Sequence, residues 1–320
     1  MPGFVTHYLF GLQTYKELSD DGLRRFIHKH RRAYSLGLQG PDVFFYYFPS
    51  YLIHPHNIGN IAHTQKTGAF FANLLNGRSL FAEDAAALEI ADAYLMGFLG
   101  HYTLDCTVHP FVYAFTHYDP QDPPGAKEYF GQHAYLETEL DNDLLWKFLM
   151  KKPGSFDMGA TIRLSRKERR VIAGLLTYAY QTTWPKLRVT FRQVRQATLW
   201  MSTLASLMRD PGGRKKVLVR KAEALFVHHP MVSAMIPSDR LRFASDQLNH
   251  NHRKWKHPWT GEISACTFED LLDEAKAHYI HRLQAYLSLM ETSFPEKAAR
   301  EFLLEYGDNS FSSGLPWQKS

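Results

Sequence analysis

The chain has 320 residues, 45% hydrophobic and 22% charged, which is enough apolar material for a substantial core and excludes disorder as its default state. Its 37 Lys and Arg against 32 Asp and Glu leave a net charge of +5 and a pI near 9.0, an excess too small to point by itself to nucleic acid. Two cysteines, Cys106 and Cys266, exclude a disulfide scaffold and thiolate zinc sites.

The first residues, Met-Pro-Gly-Phe-Val-Thr-His, lack a basic segment followed by an apolar run, so no secretory signal is read. No stretch approaches the roughly 18 uninterrupted apolar residues of a membrane span. A cytoplasmic location is the expectation.

Apolar residues recur at three-and-four spacing over Tyr8 to His28, Lys66 to Leu75, Asp84 to Tyr102, Gly131 to Met150, Arg166 to Thr182, Phe191 to Met208 and Phe268 to Met290. Turn signals fall between them at Gly40-Pro41-Asp42, Pro120 to Gly125, Pro153-Gly154, Pro211-Gly212-Gly213 and Pro258 to Gly261. Strand-like alternation is scarce, so the pattern predicts an all-α fold. A break at Lys151 to Ser155 is expected to divide a metal-binding helical domain, 1–150, from a C-terminal helical region, 151–320, packed on it. The basic stretches Arg163 to Arg170 and Arg209 to Lys221 read as solvated helix faces, and they also suit an anionic lipid surface.

Seventeen histidines are present, and ten of them precede residue 135. His101 and Asp105 are four residues apart, which on a helix directs both side chains from one face, and His109 extends that face by another turn. His133 and Glu137 repeat the arrangement on a second helical segment. Imidazole and carboxylate at this spacing on rigid helices suit zinc. Either pair alone reads as a surface hydrogen bond or a satisfied core histidine; both together favour a metal site.

In this order the residues resemble the zinc-dependent phospholipases C of bacteria, whose scaffold is shared by single-strand nucleases: His101-Tyr-Thr-Leu-Asp105, then His109, then His133-Ala-Tyr-Leu-Glu137. His7, Asp42 and His63 look like the family's early histidine, loop aspartate and following histidine. The resemblance covers roughly residues 3 to 145. It implies a multi-helix bundle with additional C-terminal helices and a site of two or three Zn²⁺ ions. Asp42, His63, His101 and Asp105 would surround one ion, His109, His133 and Glu137 a second, and His7 a third bridged by Asp105. His54 or His56 is an alternative to His63, and His117 to His109. The family's secreted members use an N-terminal Trp that this chain lacks, and the Pro2 amine is the substitute expected.

The implied activity is phospholipase C-type hydrolysis, a metal-bound water attacking a phospholipid head-group phosphodiester, with Asp42 orienting or deprotonating it. Two other readings stand beside it: a single-strand nuclease-like phosphodiesterase, and a non-catalytic, zinc-stabilised helical binding protein. The aromatic run Phe44 to Tyr51, with Phe45 and Tyr46, reads either as core or as a cage for a choline cation. Trp255, in the His- and Trp-rich stretch Leu248 to Trp259, reads either as part of a substrate entrance or as a pin holding a loop to the core. Phospholipid is the expected partner, with peripheral contact at a membrane surface; nucleic acid fits less well.

Overall fold

A computed structural model describes residues 3–49, 57–123, 126–227, 229–237, 239, 246–291 and 296–317. Among them are thirteen α-helices and a single pair of two-residue strands, an all-α architecture. The first five helices are α1 (Phe4–Glu17), α2 (Asp21–Lys29), α3 (Arg31–Gly37), α4 (Ile58–Thr64) and α5 (Thr67–Asn76). The central helix α6 (Ala85–Phe115) and then α7 (Ala126–Leu149) follow. The remainder are α8 (Met158–Thr161), α9 (Arg166–Thr183), α10 (Phe191–Leu207), α11 (Arg214–Glu223), α12 (Phe268–Glu291) and α13 (Glu296–Tyr306).

Two helices depart from the periodicity. The expected Tyr8 to His28 helix is broken in two, because Asp20 turns extended and its carboxylate accepts from the backbone N–H of Gly22 at 2.7 Å and Leu23 at 3.1 Å, capping α2. The helix expected to end at Tyr102 runs on to Phe115, through Pro110. Burial outweighs the lost N–H: α6 is buried over most of its surface from Ala87 to Val112, with Glu89 and Thr107 among the few partly exposed residues, and packs against α1, α3, α9 and α12.

The approach of α3 to α6 sets the site's floor. At Gly37 and Gly97 the backbones are so close that a Cβ would lie 2.1 Å from the carbonyl oxygen of Tyr94 and of Tyr34 respectively. No side chain fits there, and the contact brings the end of α3 against the middle of α6.

One continuous hydrophobic core takes side chains from both sides of Lys151 to Ser155: Phe44, Phe70 and Phe98 from the first part, and Tyr180, Phe268, Tyr279, Tyr286 and Phe311 from the second. Fully burying each such side chain contributes on the order of 1.5–3 kcal/mol. The strands, β1 (Trp255–Lys256) and β2 (Ile263–Ser264), form an antiparallel pair with Trp255 opposite Ser264. Their turn includes Pro258 and Gly261, and Trp255 packs edge-on to Phe111 of α6 at 5.6 Å. No helix among the described residues is long and apolar enough to cross a membrane.

Candidate metal centre

Eight side chains, five expected from spacing and His7, Asp42 and His63 from the resemblance, converge in the middle of this bundle. His7 comes from α1, Asp42 from a 3-10 turn over Gly40–Phe44, His63 from α4, His101, Asp105 and His109 from α6, and His133 and Glu137 from α7. All are buried. Their ligating atoms form three groups, each within 4.8 Å: His7, His101 and Asp105; Asp42, His63 and His101; and His109, His133 and Glu137.

Asp105 is the hinge of the arrangement. One oxygen lies 3.1 Å from His7 Nε2, and the other lies 3.2 Å from His101 Nε2, 3.8 Å from His63 Nε2 and 3.9 Å from His109 Nδ1. Asp42 Oδ1 stands 2.9 Å from His63 Nε2, and His133 Nε2 stands 2.8 Å from Glu137 Oε1. The His7 and His101 rings stack at 4.4 Å. Gly40, with φ of +49°, lets the Asp42 turn lie on His101: a Cβ there would sit 2.1 Å from the imidazole.

The far nitrogens explain why the rings are so oriented. His63 Nδ1 lies 2.7 Å from the Gly59 carbonyl, His101 Nδ1 3.1 Å from that of Leu38, and His109 Nδ1 2.7 Å from that of Phe311. His133 Nδ1 is 3.2 Å from the Tyr129 hydroxyl. A carbonyl accepts only from a protonated Nδ1, so in the first three rings Nε2 carries the lone pair and is turned inward. The inward atoms of His7, His63 and His101, and the carboxylate oxygens of Asp105, make no hydrogen bond despite their proximity, since they are directed at shared points rather than at each other.

Electrostatics agrees. Burial pushes the His101, His109 and His133 imidazoles well below their usual range and His7 down to about 3, so all four are neutral. Burial also raises the Asp105 and Glu137 carboxyls well above theirs. Neutral imidazoles beside carboxylates that need a cation are the donor set of zinc.

A family model described as zinc-dependent phospholipase C matches residues 6–192. The chain belongs to that family. The matched residues include all eight converging side chains and run across the Lys151 to Ser155 break. No curated protein and no solved structure gives a match.

Other expected residues are placed differently. His117 is exposed, past the end of α6 and outside the cluster. Pro2, His54 and His56 lie outside the described residues. Tyr46 lines a cavity beside Asp42 and Glu137, whereas Phe45 stands against His63, ring centres 5.5 Å apart. Trp255 does not line that cavity; its indole donates to the Cys266 carbonyl at 3.1 Å and pins the hairpin to α6.

Three contributors were not anticipated. Asp141, on α7, accepts from the backbone N–H groups of Val5 and Thr6 and from the Thr6 hydroxyl at 2.7–3.0 Å, fixing the start of α1 and with it His7. Its spacing of four from Glu137 continued the ligand face and was the signal available. The Tyr129 hydroxyl, four before His133, was also visible in principle. The third, Phe311, lies outside the matched segment. Its carbonyl holds His109, its N–H donates to the His63 carbonyl at 3.0 Å, and its ring meets those of His63 and His101 at 4.9 and 5.5 Å. Any residue type has a carbonyl, so nothing in the sequence marked it.

Proposed function

We propose that this chain is a zinc-dependent phosphodiester hydrolase that cleaves the head-group phosphodiester of a phospholipid. The carrying observation is that the metal cluster shares a wall with an apolar cavity. Asp42 and Glu137 lie on that wall, and Phe4, Tyr46, Phe156, Met158, Met201 and Met208 are among its other residues. The space that a water molecule can enter is about 70 Å³, a narrow slot open to solvent at its mouth, along which an acyl chain would lie. A ligand with a phosphate at the cluster and hydrocarbon along the cavity satisfies both surfaces, and methionines adapt to a flexible chain. Single-stranded nucleic acid would call for exposed stacking rings along a basic groove, which these residues do not form.

When bound, zinc supplies electrophilic stabilisation of phosphoryl oxygens and acidifies an attacking water. The protein's own residues do the rest. Asp42 faces both the cluster and the cavity, so its carboxylate orients the attacking water in line with the phosphorus and accepts its proton. The carbonyls of Gly59, Leu38 and Phe311 keep the imidazoles in one tautomer and one orientation. The walls around the cluster exclude bulk water, which strengthens each of these interactions.

The test is turnover by zinc-loaded protein on phosphatidylcholine and on a single-stranded oligonucleotide, with Asp42→Asn in parallel. The expected result is release of the phosphorylated head group, lowered by about two orders of magnitude or more in Asp42→Asn, with zinc content less affected. Cleavage of the oligonucleotide alone would move the assignment to a nuclease. Inactivity on every phosphodiester at full zinc loading would leave a structural cluster.

A further inference from the structure

The helix α11 is turned in a way that water does not favour. Its outward face carries Arg214, Val217, Leu218 and Lys221, while Lys216, Val219, Arg220 and Glu223 are half-buried on the inner face. Lys216 stands over the Tyr135 ring at 5.5 Å, and the Glu223 carboxylate accepts from the Ser233 N–H at 3.0 Å and from its hydroxyl. Val217 and Leu218 thus point to solvent beside Arg214, Lys215 and Lys221, while Lys216 and Arg220 pack inward, so the outward face is mixed apolar and cationic rather than purely polar.

The exposure is large. Leu218 is 66% exposed, and the turn that follows the helix presents Leu225 at 78% and Phe226 at 87%. Six of the fourteen large apolar residues exposed among the described residues fall between Leu207 and Val232. Charge collects there too: Arg209 to Lys221 holds six cations and one carboxylate, Asp210, an excess equal to the net +5 of the whole chain. Asp210 is itself engaged, accepting from the Lys216 N–H at 2.8 Å. Lys215 donates to the Leu207 and Arg209 carbonyls at the end of α10, which fixes how α11 leaves that helix.

We infer that the outward face of α11, with the Leu225 and Phe226 side chains, docks onto the surface of an anionic lipid bilayer. Apolar side chains flanked by Arg and Lys are what the interface between headgroups and acyl chains accommodates: the rings and methyls enter the boundary, and the cations meet lipid phosphates. A nucleic acid would match the cations but leave Leu218, Leu225 and Phe226 in water. The position also serves the reading given above, on which the functional value of docking rests. The turn Ser233–Met235 lies between α11 and the apolar cavity: Ser233 and Ala234 line the hollow beneath α11, and Met235 lines the cavity beside Asp42. Docking sets the cavity next to the lipids it would draw from.

The experiment is vesicle co-sedimentation of the full chain, comparing pure phosphatidylcholine vesicles with vesicles containing about one third phosphatidylserine. Tighter partition onto the anionic vesicles, by about tenfold and declining with salt, is expected. Leu225→Ser with Phe226→Ser should lower it by more than tenfold, and Arg214→Gln with Lys221→Gln should lower it on the anionic vesicles alone. Both variants should keep wild-type turnover of a short-chain, water-soluble phosphodiester. Partition with no turnover of any substrate would sustain docking while removing the hydrolase reading. Turnover without partition would remove docking and keep the enzyme. Docking would equally be overturned by partition indifferent to both variants, by preference for an oligonucleotide over vesicles, or by a dimer that Phe226→Ser dissolves.

Discussion

His101 belongs to two of the three ligand groups, whereas Glu137 belongs to one, and this asymmetry yields a quantitative expectation. Filling all three groups gives three zinc ions per chain. Removing His101 breaks two groups and removing Glu137 breaks one, so plasma mass spectrometry should find one ion in His101→Ala and two in Glu137→Ala. At free zinc about a hundredfold above the dissociation constant, each filled site contributes about 2.7 kcal/mol to stability. The difference between zinc-loaded and chelator-treated protein in urea unfolding should then be about 8 kcal/mol in the wild type, about 5 in Glu137→Ala and about 3 in His101→Ala. Taking the difference within each variant cancels the cavity that a lost imidazole leaves in the core. Equal losses of zinc in the two variants, or stabilisation that does not follow the order three, two, one, would refute the sharing of His101.

Acidity should act on the metal-free protein through the buried imidazoles. His7 is held at about 3 against an ordinary 6.5, so between those values the unfolded chain binds a proton that the folded chain does not. Stability is therefore lost as pH falls from about 6.5 towards 3, by up to about 1.4 kcal/mol per pH unit from this group, and His7→Gln should flatten the slope of unfolding free energy against pH by that amount. An unchanged slope would show that His7 is not kept neutral by the fold. For the C-terminal segment, Phe311→Ala should lower stability by about 3–5 kcal/mol while retaining zinc, because its carbonyl stays in place. Deletion from Gly307 onwards should release the ion held by His109, His133 and Glu137; full zinc content in that deletion would contradict the role of the carbonyl.

What the sequence disclosed follows from periodicity, and from the resemblance for His7, Asp42 and His63. The pairs His101 with Asp105 and His133 with Glu137 were legible because helical geometry turns a spacing of four into a shared direction, and those helices exist. The Gly-Pro-Asp turn was legible and forms as a 3-10 segment, but Asp42 as a site residue was legible only through the resemblance. The break after Glu17 was not, since the capping Asp20 interrupts an otherwise unbroken apolar stripe. The run of α6 past Tyr102 was hidden by Pro110, whose local cost is exceeded by burial that only the assembled bundle supplies. The carbonyls that orient the imidazoles carry no residue signature. The cations of Arg209 to Lys221 were visible, but which side of the helix they take depends on packing against Tyr135 and Ser233, far away in the chain or held by a turn.

The bond from His109 to the Phe311 carbonyl spans 202 residues, so the centre cannot be complete before Phe311 has been synthesised. A nascent polypeptide that already displays His101, Asp105, His109, His133 and Glu137 still lacks the segment that fixes His109 and lies against the rings of His63 and His101. Assembly of a well-ordered centre is thereby postponed until Phe311 has emerged, and a translation product truncated before it would bear most of the ligands without a finished site.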